Sequence, residues 1–279
     1  MIIPVTIIVL TFNEEKNIVD CLETIKDFCD EIIVVDSGST DKTLEIVKQY
    51  TEKVFHHPFV NYSEQRNWAL ENLPIKNDWI LNLDADHRVT DELKKELTDL
   101  FSKGVSEEVN GFLISRRTIF MGRWIKHGGH YPTYHANMFR KGFGKCEEKL
   151  YDQHYLVEGK LLKLKGDIID IITDSLSTFI TRHNKWSTLE AEYQMSNKNE
   201  EKVVKANLMG HPIQKRRALK KFYEKFPLFV RPTLYFIQRY FLRLGFLDGK
   251  EGLIFHFLQG FWFRFLIDAK IWEMRNEKS

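Results

Sequence analysis

The chain has 279 residues, which suffices for one well-packed domain with an extension or for two small domains. Its composition, 43% hydrophobic and 29% charged, excludes a disordered chain, and three cysteines without metal-ligand spacing predict free thiols in a reducing compartment. The formal net charge of +2 hides an uneven distribution, because residues 211–275 carry thirteen Lys and Arg against five Asp and Glu. The sequence therefore predicts an acidic body and a basic, aromatic C-terminal part with separate tasks.

The N-terminal hundred residues alternate between apolar runs of strand length and helices. The first run has no preceding basic segment, so we expect a buried strand rather than a signal peptide, and a cytoplasmic protein. This alternation predicts an α/β fold with a mostly parallel central sheet covered by helices on both faces. The predicted strands are Val5–Leu10, Glu31–Val35, Val54–Phe55 and Trp79–Leu83. The predicted helices are one capped by Asn13, one capped by Thr40 or Asp41, Ser63–Leu73 and Asp91–Phe101.

The regular alternation ends near Gly111. Strands are predicted at Gly111–Arg116 and Ala136–Arg140, followed by a weakly alternating segment at Val157–Leu164. A helix is predicted at Ser175–Ser196. Apolar residues at helical spacing then predict amphipathic helices over residues 234–244 and 253–272, behind a cluster of basic residues.

Carboxylates are concentrated where the predicted strands end. The strand ends are Thr11–Glu14, Asp36–Asp41 and Asp84–His87. An open parallel sheet binds its ligands in the crevice beyond the carboxyl ends of its strands, so we expect these segments to form one site.

The Asp84-Ala85-Asp86 motif is the sharpest of these features. It follows the apolar run WILNL, and two carboxylates so close together repel each other unless a cation lies beside them. Mg²⁺ or Mn²⁺, bound together with a diphosphate, suits such a pair. The alternative is a solvated turn in which an Asp caps a helix.

Four segments resemble the family-2 inverting glycosyltransferases in their order and spacing. They are IIVLTFNEE at 7–15, IIVVDSGSTD at 32–41, QRNWA at 65–69 and LNLDAD at 81–86. The resemblance implies the glycosyltransferase A fold and a nucleotide-diphosphate sugar as donor, with a UDP-sugar expected first. It also implies that Thr11, Asn13 and Glu14 line the nucleoside pocket, that Asp36 accepts from the base, and that Arg66 approaches the base or the diphosphate.

The resemblance also implies how the metal and the phosphates are bound. Asp84 would lie near the ribose and sugar and share the metal with Asp86, the principal ligand. Arg182 and Lys185 would approach the diphosphate, and His183 would be a third metal ligand.

An inverting transfer needs a general base for the acceptor hydroxyl, and the family supplies an Asp or Glu. Asp152 is our first candidate, since Tyr151 and Tyr155 could limit solvent there and raise its pKa. Glu147 and Glu148 remain open as alternatives.

The basic, aromatic C-terminal part suits either the surface of an anionic membrane or packing on the catalytic domain or a second subunit. Such a tail resembles the lipopolysaccharide-core and lipid-linked saccharide branch of the family. We therefore expect a membrane lipid or lipid-linked saccharide as acceptor, a location on the inner face of the cell membrane, a possible homo-oligomer and no nucleic-acid partner. The domain boundaries predicted are 1–200 for the catalytic domain (1–115 donor half, 116–200 acceptor half) and 211–279 for the extension.

Two alternatives stand beside the transferase. An Asp-x-Asp also occurs in phosphatases of the haloacid-dehalogenase type, but their nucleophile lies on the first strand of the domain and here three βα units precede it. The second alternative is a membrane-associated nucleotide-sugar-binding protein that lacks catalysis.

Overall fold

The computed structural model describes residues 1–149, 152–172, 175–196 and 204–277. Their contacts group the chain into two compact units. Unit 1 comprises Met1–Arg116, Tyr134–Glu148 and Gln153–Ile171, and unit 2 comprises Arg117–Thr133, Lys149–Asp152 and Ile172–Ser279.

A mixed sheet forms the centre of unit 1. The strands of the chain are β1 (Ile3–Thr11), β2 (Cys29–Asp36), β3 (Val54–His56), β4 (Trp79–Asp84), β5 (His87–Val89), β6 (Val109–Phe120), β7 (Arg123–Trp124), β8 (Thr133–Arg140), β9 (Gly144–Cys146), β10 (Tyr155–Val157) and β11 (Lys160–Ile172). The order of the strands in the sheet is β3-β2-β1-β4-β8-β6-β11-β5. In it, β1 lies parallel to β2 and β4, and β2 lies parallel to β3, whereas β8 pairs antiparallel with β4 and β5 pairs antiparallel with β11.

The apolar runs of the sequence are strands buried on both faces. In β1, Ile7 packs into one hydrophobic cluster and Ile8 into another. In β4, Leu81 packs into the cluster that contains Ile7, and Ile80 packs into the cluster that contains Ile8. Successive side chains of a strand point to opposite faces, so a strand covered on both sides reads as a continuous apolar run. The predicted α/β fold with its parallel strands is confirmed.

The helices of unit 1 connect these strands. They are α1 (Ile18–Glu23), α2 (Thr43–Val47), α3 (Tyr62–Asn72) and α4 (Asp91–Lys103). Lys42 occupies the N-cap position of α2 and makes no side-chain cap, but Asp41, one of the two predicted capping residues, accepts from the backbone N–H of Thr43, the first residue of α2, at 3.0 Å. The predicted cap of α1 is wrong, because Asn17 precedes that helix and makes no side-chain cap. Asn13 instead adopts φ 55° and accepts a hydrogen bond from the backbone N–H of Thr40, at 2.8 Å.

Two strands extend further than the sequence predicted. β6 has 12 residues and β11 has 13, whereas the predicted strands covered only parts of these segments. The last part of β11 pairs with β5, placing Asp170 opposite His87 in the register.

Unit 2 contains the remaining helices. They are α5 (Leu176–Ser196), α6 (Pro212–Glu224), α7 (Val230–Ile237), α8 (Gly249–Phe255) and α9 (Phe263–Asn276). Neither predicted C-terminal helix is a continuous α-helix. A π-helical turn follows α7 at Gln238–Leu242, and a second, His256–Trp262, separates α8 from α9. Within the four described ranges, no helix is both long and apolar enough to cross a bilayer.

Two apolar clusters hold unit 2 together. Phe120, Ile125, Phe179 and Phe255 form one, and the second joins Ala191 of α5 to residues of α9. For the polar, charge-mixed segment 196–211 the sequence predicts a linker, and its residues 197–203 lie outside the described residues.

Candidate functional site

Three strand ends lie level with one another at one edge of the sheet in unit 1. In the strand register, Leu10 of β1 is opposite Asp84 of β4, and Thr11 is opposite Asp36 of β2. Because β1, β2 and β4 are parallel, their carboxyl ends open into the same crevice.

Asp36 organises the turn that follows β2. Its Oδ2 accepts from the backbone N–H groups of Gly38 and Ser39 at 2.8 and 2.9 Å, and its Oδ1 accepts from the Ser39 hydroxyl at 2.5 Å. Gly38 has φ +100°, a conformation that side chains other than glycine rarely adopt. A carboxylate has about four acceptor positions, so Asp36 keeps capacity for one further N–H donor.

The loop after β1 is fastened to this turn. The backbone N–H of Asn13 donates to the Ser39 hydroxyl at 2.9 Å, and that of Glu14 donates to the Thr43 hydroxyl at 2.8 Å. The Thr11 hydroxyl is buried and has no hydrogen-bond partner in the described part of the chain. The predicted nucleoside residues of this loop and Asp36 therefore belong to one connected surface.

Arg66 of α3 forms an ion pair with Asp84. Its Nη2 lies 2.9 and 3.0 Å from the two carboxylate oxygens, and its Nη1 donates to the Tyr155 hydroxyl at 3.1 Å. Burial is the largest single influence and raises the pKa of Asp84, but the attractions of Arg66, His87 and Arg116 and the Arg66 hydrogen bond together outweigh it and lower the pKa below its ordinary value. Asp84 is therefore ionised and held in position.

Asp86 has the opposite environment. Burial, followed by repulsion from Asp170, Asp84 and Glu14, raises its pKa well above the ordinary value. Its Oδ1 is buried and forms no hydrogen bond with any residue that the structure describes. A carboxylate among three others, without a donor for one oxygen, fits an oxygen-binding divalent cation.

His87 is buried next to these two carboxylates. One ligand atom from each of Asp84, Asp86 and His87 can be chosen so that all three lie within 4.8 Å of one another. The backbone N–H of Asp84 donates to His87 Nδ1 at 3.0 Å, and burial lowers the pKa of His87 to about 4. The neutral ring therefore carries its proton on Nε2, 3.8 Å from Asp84 Oδ2 and 3.9 Å from Asp86 Oδ1. In this tautomer His87 directs a donor toward the carboxylates, and the oxygens are the better metal ligands.

The sequence placed His87 at this corner without giving it a contact, and it did not point to Asp170 or Arg116. Asp170 Oδ2 lies 3.5 Å from Arg116 Nη1. Asp170 comes from β11, whose backbone also donates from Ile171 to the Asp86 carbonyl at 3.2 Å. The only sequence signal was one acid inside the apolar run IIDII, and a pattern read along the chain does not reveal its partner strand.

The two predicted base candidates of unit 1 differ in exposure. Glu147 is fully buried, and its Oε2 accepts from the backbone N–H of His154 at 2.9 Å. Glu148 is exposed. Glu147 thus serves as an internal acceptor in this structure, while Glu148 is open to solvent.

Asp152, the first base candidate, lies in unit 2 with φ 55°. Its Oδ2 is 3.4 Å from Lys220 Nζ and 3.5 Å from Arg217 Nη1. Tyr151 lies outside the described residues, and Tyr155 hydrogen-bonds Arg66. The structure thus places two cations beside the Asp152 carboxylate.

The remaining predicted residues lie on α5 in unit 2. His183 Nδ1 donates to the Phe179 carbonyl at 2.8 Å, its ring packs against Phe179, Trp186 and Phe263, and burial lowers its pKa to about 4. Arg182 and Lys185 are exposed on the same helix.

Comparison with known proteins gives consistent results. The family model for glycosyl transferase family 2 matches residues 6–154. The chain is 27% identical to the lipopolysaccharide core biosynthesis glycosyltransferase LpsC of Rhizobium meliloti (strain 1021), across 99% of this chain and 95% of LpsC. An uncharacterized glycosyltransferase of Rickettsia felis is 30% identical across 95% of this chain and 88% of its own length.

Two solved structures share the fold. The S. aureus TarS 1–349 complex with UDP-GlcNAc aligns with TM-score 0.50 and 18% identity, over 98% of this chain and 92% of that one. The mannosyltransferase PcManGT of Pyrobaculum calidifontis, in complex with GDP-Man and Mn²⁺, aligns with TM-score 0.52 and 14% identity, over 97% and 87%. These similarities confirm the expected glycosyltransferase A-like α/β fold.

Proposed function

This chain belongs to glycosyl transferase family 2, and we propose that it is an inverting, metal-dependent enzyme acting on a membrane-borne acceptor. It would transfer a sugar from a nucleotide-diphosphate sugar, with a UDP-sugar tested first, to a lipid-linked or lipopolysaccharide-type acceptor. The observation that carries the proposal is the Oδ1 of Asp86 at the end of β4, which is buried near three other carboxylates and has no hydrogen-bond donor within the described ranges.

The carboxylate oxygens of Asp84 and Asp86 suit Mg²⁺ or Mn²⁺, which prefer oxygen ligands of this kind. Asp86 would be the principal ligand, Asp84 a second one, and His183 remains a proposed third ligand. When bound, the ion would supply a Lewis acid for the departing nucleotide diphosphate. The complex of PcManGT with GDP-Man and Mn²⁺ supports this choice of cofactor.

The protein's own residues would bind and orient the donor. Asp36 would accept from the base with its remaining acceptor capacity, and the buried Thr11 hydroxyl would supply a further polar contact. Arg66 would hold Asp84 toward the ribose and sugar. Asn13 and Glu14 would shape the nucleoside pocket, while Arg182 and Lys185 would add positive charge for the diphosphate.

The acceptor hydroxyl loses its proton as it attacks the anomeric carbon. Asp152 remains our first candidate base, and its Oδ2 lies 3.4 Å from Lys220 Nζ and 3.5 Å from Arg217 Nη1. Glu148 and then Glu147 are the alternatives.

The C-terminal part supports a membrane-borne acceptor. Unit 2 exposes large apolar side chains, including Phe241 at 53%, Leu242 at 74% and Trp272 at 58%. Lys215, Lys221 and Lys225 are exposed cations in the same unit. Apolar side chains inserted among lipids and cations above anionic headgroups are the features of interfacial binding. We therefore propose peripheral association with the inner face of the cell membrane, with residues 1–200 catalytic and 211–279 anchoring.

A donor screen tests this proposal. The purified chain would be incubated with UDP- and GDP-sugars, Mn²⁺ or Mg²⁺ and a membrane extract, and release of nucleoside diphosphate would be measured. We expect release from one donor class, dependent on the extract and abolished by Asp86→Ala. Donor binding without any release across the screen would support instead a nucleotide-sugar-binding protein that lacks catalysis.

A further inference from the structure

Three arginines from different helical segments surround Tyr235 in unit 2. Arg239, in the π-helical turn after α7, donates from Nη1 to the Tyr235 hydroxyl at 3.2 Å. The Arg264 guanidinium carbon of α9 lies 4.0 Å from the centroid of the same ring. Arg216 of α6 is near enough to act electrostatically on both Tyr235 and Arg239. We refer to Arg216, Tyr235, Arg239 and Arg264 as the arginine cluster.

The cluster contains a buried cation that lacks a carboxylate partner. Arg239 is only 7% exposed, and its Nη2 is buried without a hydrogen-bond partner among the described residues. Its other contacts are the Gly128 carbonyl, which accepts from Nε at 2.7 Å, and the Tyr235 hydroxyl. Leaving a buried guanidinium N–H unpaired beside other cations is costly.

Arg231, another arginine of unit 2, forms a purely structural ion pair and serves as a comparison. Arg231 of α7 pairs with the buried Asp268, with Nε 2.8 Å from Oδ1. Within the described part of the chain, neither Arg239 nor Arg216 forms an ion pair of this kind. This difference between Arg231 and the cluster arginines indicates that the cluster binds an anion that the described part of the chain does not supply.

The pKa of Tyr235 reflects the positive electrostatic potential of the cluster. Burial raises the pKa of Tyr235, but the attraction of Arg239, Arg264 and Arg216 outweighs it and brings the pKa to about 7. A site that favours a phenolate near neutral pH also favours other oxyanions. The location in a π-helical turn agrees with a binding role, since such turns often occur at functional sites.

We propose that the arginine cluster is an oxyanion-binding site for a phosphate group, with Arg264 and Arg216 as the accessible ligands and Arg239 as the buried one. Arginine forks match phosphate oxygens and form charge-assisted hydrogen bonds with them. All four residues of the arginine cluster belong to unit 2. If the proposed function holds, the phosphate would belong either to the acceptor or to a lipid headgroup, and both offer the same chemistry.

Phosphate binding by the full chain in chelator-containing buffer is the first test, since chelation keeps metal-bound phosphate out of the measurement. Calorimetry with inorganic phosphate would compare wild type, Arg264→Gln, Arg216→Gln and Arg239→Gln. The matched control is Lys103→Gln, which removes an exposed cation of α4 that has no part in the proposed membrane-binding surface. We expect affinity to fall on the order of tenfold in the arginine variants and to stay unchanged in the control.

The absorbance of tyrosinate at 295 nm gives a second signal. Phosphate in the site should raise the pKa of Tyr235, so the absorbance at pH 8 should fall as phosphate is added, and Tyr235→Phe should lack this change. Arg264→Gln and Arg216→Gln keep the test decisive if Arg239→Gln fails to fold, because Arg239 also anchors Gly128.

Vesicles distinguish the two sources of phosphate. Binding to phosphatidylglycerol vesicles that falls in Arg264→Gln but not in Lys103→Gln would support the site with a lipid headgroup as ligand. If Arg264→Gln loses phosphate binding but keeps vesicle binding, the result would support the site with the acceptor as the source of the phosphate. Equal losses in Arg264→Gln and Lys103→Gln, or no wild-type binding to either phosphate or vesicles, would overturn the proposal. None of these readouts requires glycosyl transfer, so a failed donor screen leaves them interpretable.

Discussion

Arg66 binds both carboxylate oxygens of Asp84 through a single nitrogen, with Nη2 2.9 Å from Oδ1 and 3.0 Å from Oδ2. Its second terminal nitrogen bonds the Tyr155 hydroxyl. The arginine therefore does two things at once, since it neutralises one acid of the Asp84-Ala85-Asp86 motif and fixes its direction. Asp86, two residues on, receives no such partner, so the two acids of the motif have different tasks.

Removing Arg66 should weaken both the fold and the donor site. Arg66→Gln leaves Asp84 partly buried without its cation, and we expect a loss of about 1–3 kcal/mol in the free energy of unfolding, measured by urea denaturation. Asp84→Asn in the same background should recover part of this loss, because the uncompensated charge is gone. A double-mutant cycle without coupling between the two positions would contradict the pairing.

Asp86→Asn should separate folding from transfer. The substitution removes a buried negative charge that is crowded by Asp170 and Asp84, so thermal stability in metal-free buffer should be kept or rise. Turnover should fall by about 10²-fold or more, because several kcal/mol of transition-state stabilisation depend on the metal. Asp99→Asn, an exposed acid of α4, is the control. Full activity of Asp86→Asn, or of wild type in excess chelator, would remove the metal from the mechanism.

The sequence predicted much of the sheet because its strands leave a strong local signal. Ile7 and Ile8 are both buried on opposite faces of β1, so the strand reads as an unbroken apolar run. Asp84 and Asp36 follow such runs, and parallel strands necessarily bring these ends to one edge.

Long-range pairs and irregular helices left no comparable signal. Asp170 lies opposite His87 only because β11 pairs with β5, a relationship between distant segments. The helix predicted over residues 253–272 contains the π-helical turn His256–Trp262, and the apolar spacing does not mark where the backbone widens. Asn13 was a plausible cap by residue type, yet its side chain bonds the next loop instead.

The general base can be identified by comparing three isosteric variants. If Asp152 takes the proton, Asp152→Asn should lower kcat by about 10²–10⁴-fold with little change in donor KM. Glu148→Gln and Glu147→Gln then serve as matched controls for loss of a nearby negative charge. Unchanged kcat in Asp152→Asn together with a large loss in Glu148→Gln would transfer the role to Glu148.

The exposed apolar side chains of unit 2 should govern membrane binding. Phe241→Ser combined with Leu242→Ser removes two side chains that would insert among lipids, and partitioning should fall roughly tenfold or more for each. Sedimentation with phosphatidylglycerol vesicles measures the effect. Phe143→Ser, which changes an aromatic residue 41% exposed in unit 1, is the control. If the double variant and the Phe143→Ser control lost vesicle binding equally, the result would argue against a specific membrane-binding face.

The cysteines should behave as inert packing groups. Burial raises the pKa of Cys21 and Cys29 to about 12 and that of Cys146 to about 11, so almost no thiolate exists in the native protein at pH 8. Ellman's reagent should therefore react only as the chain unfolds. A thiol whose folded pKa exceeds its unfolded value contributes stability that is full below the unfolded pKa, near 9, and is lost as pH rises toward 12. Cys21→Ala should accordingly flatten the fall in stability between pH 9 and 12, while rapid modification of native protein at pH 8 would contradict the burial of these thiols.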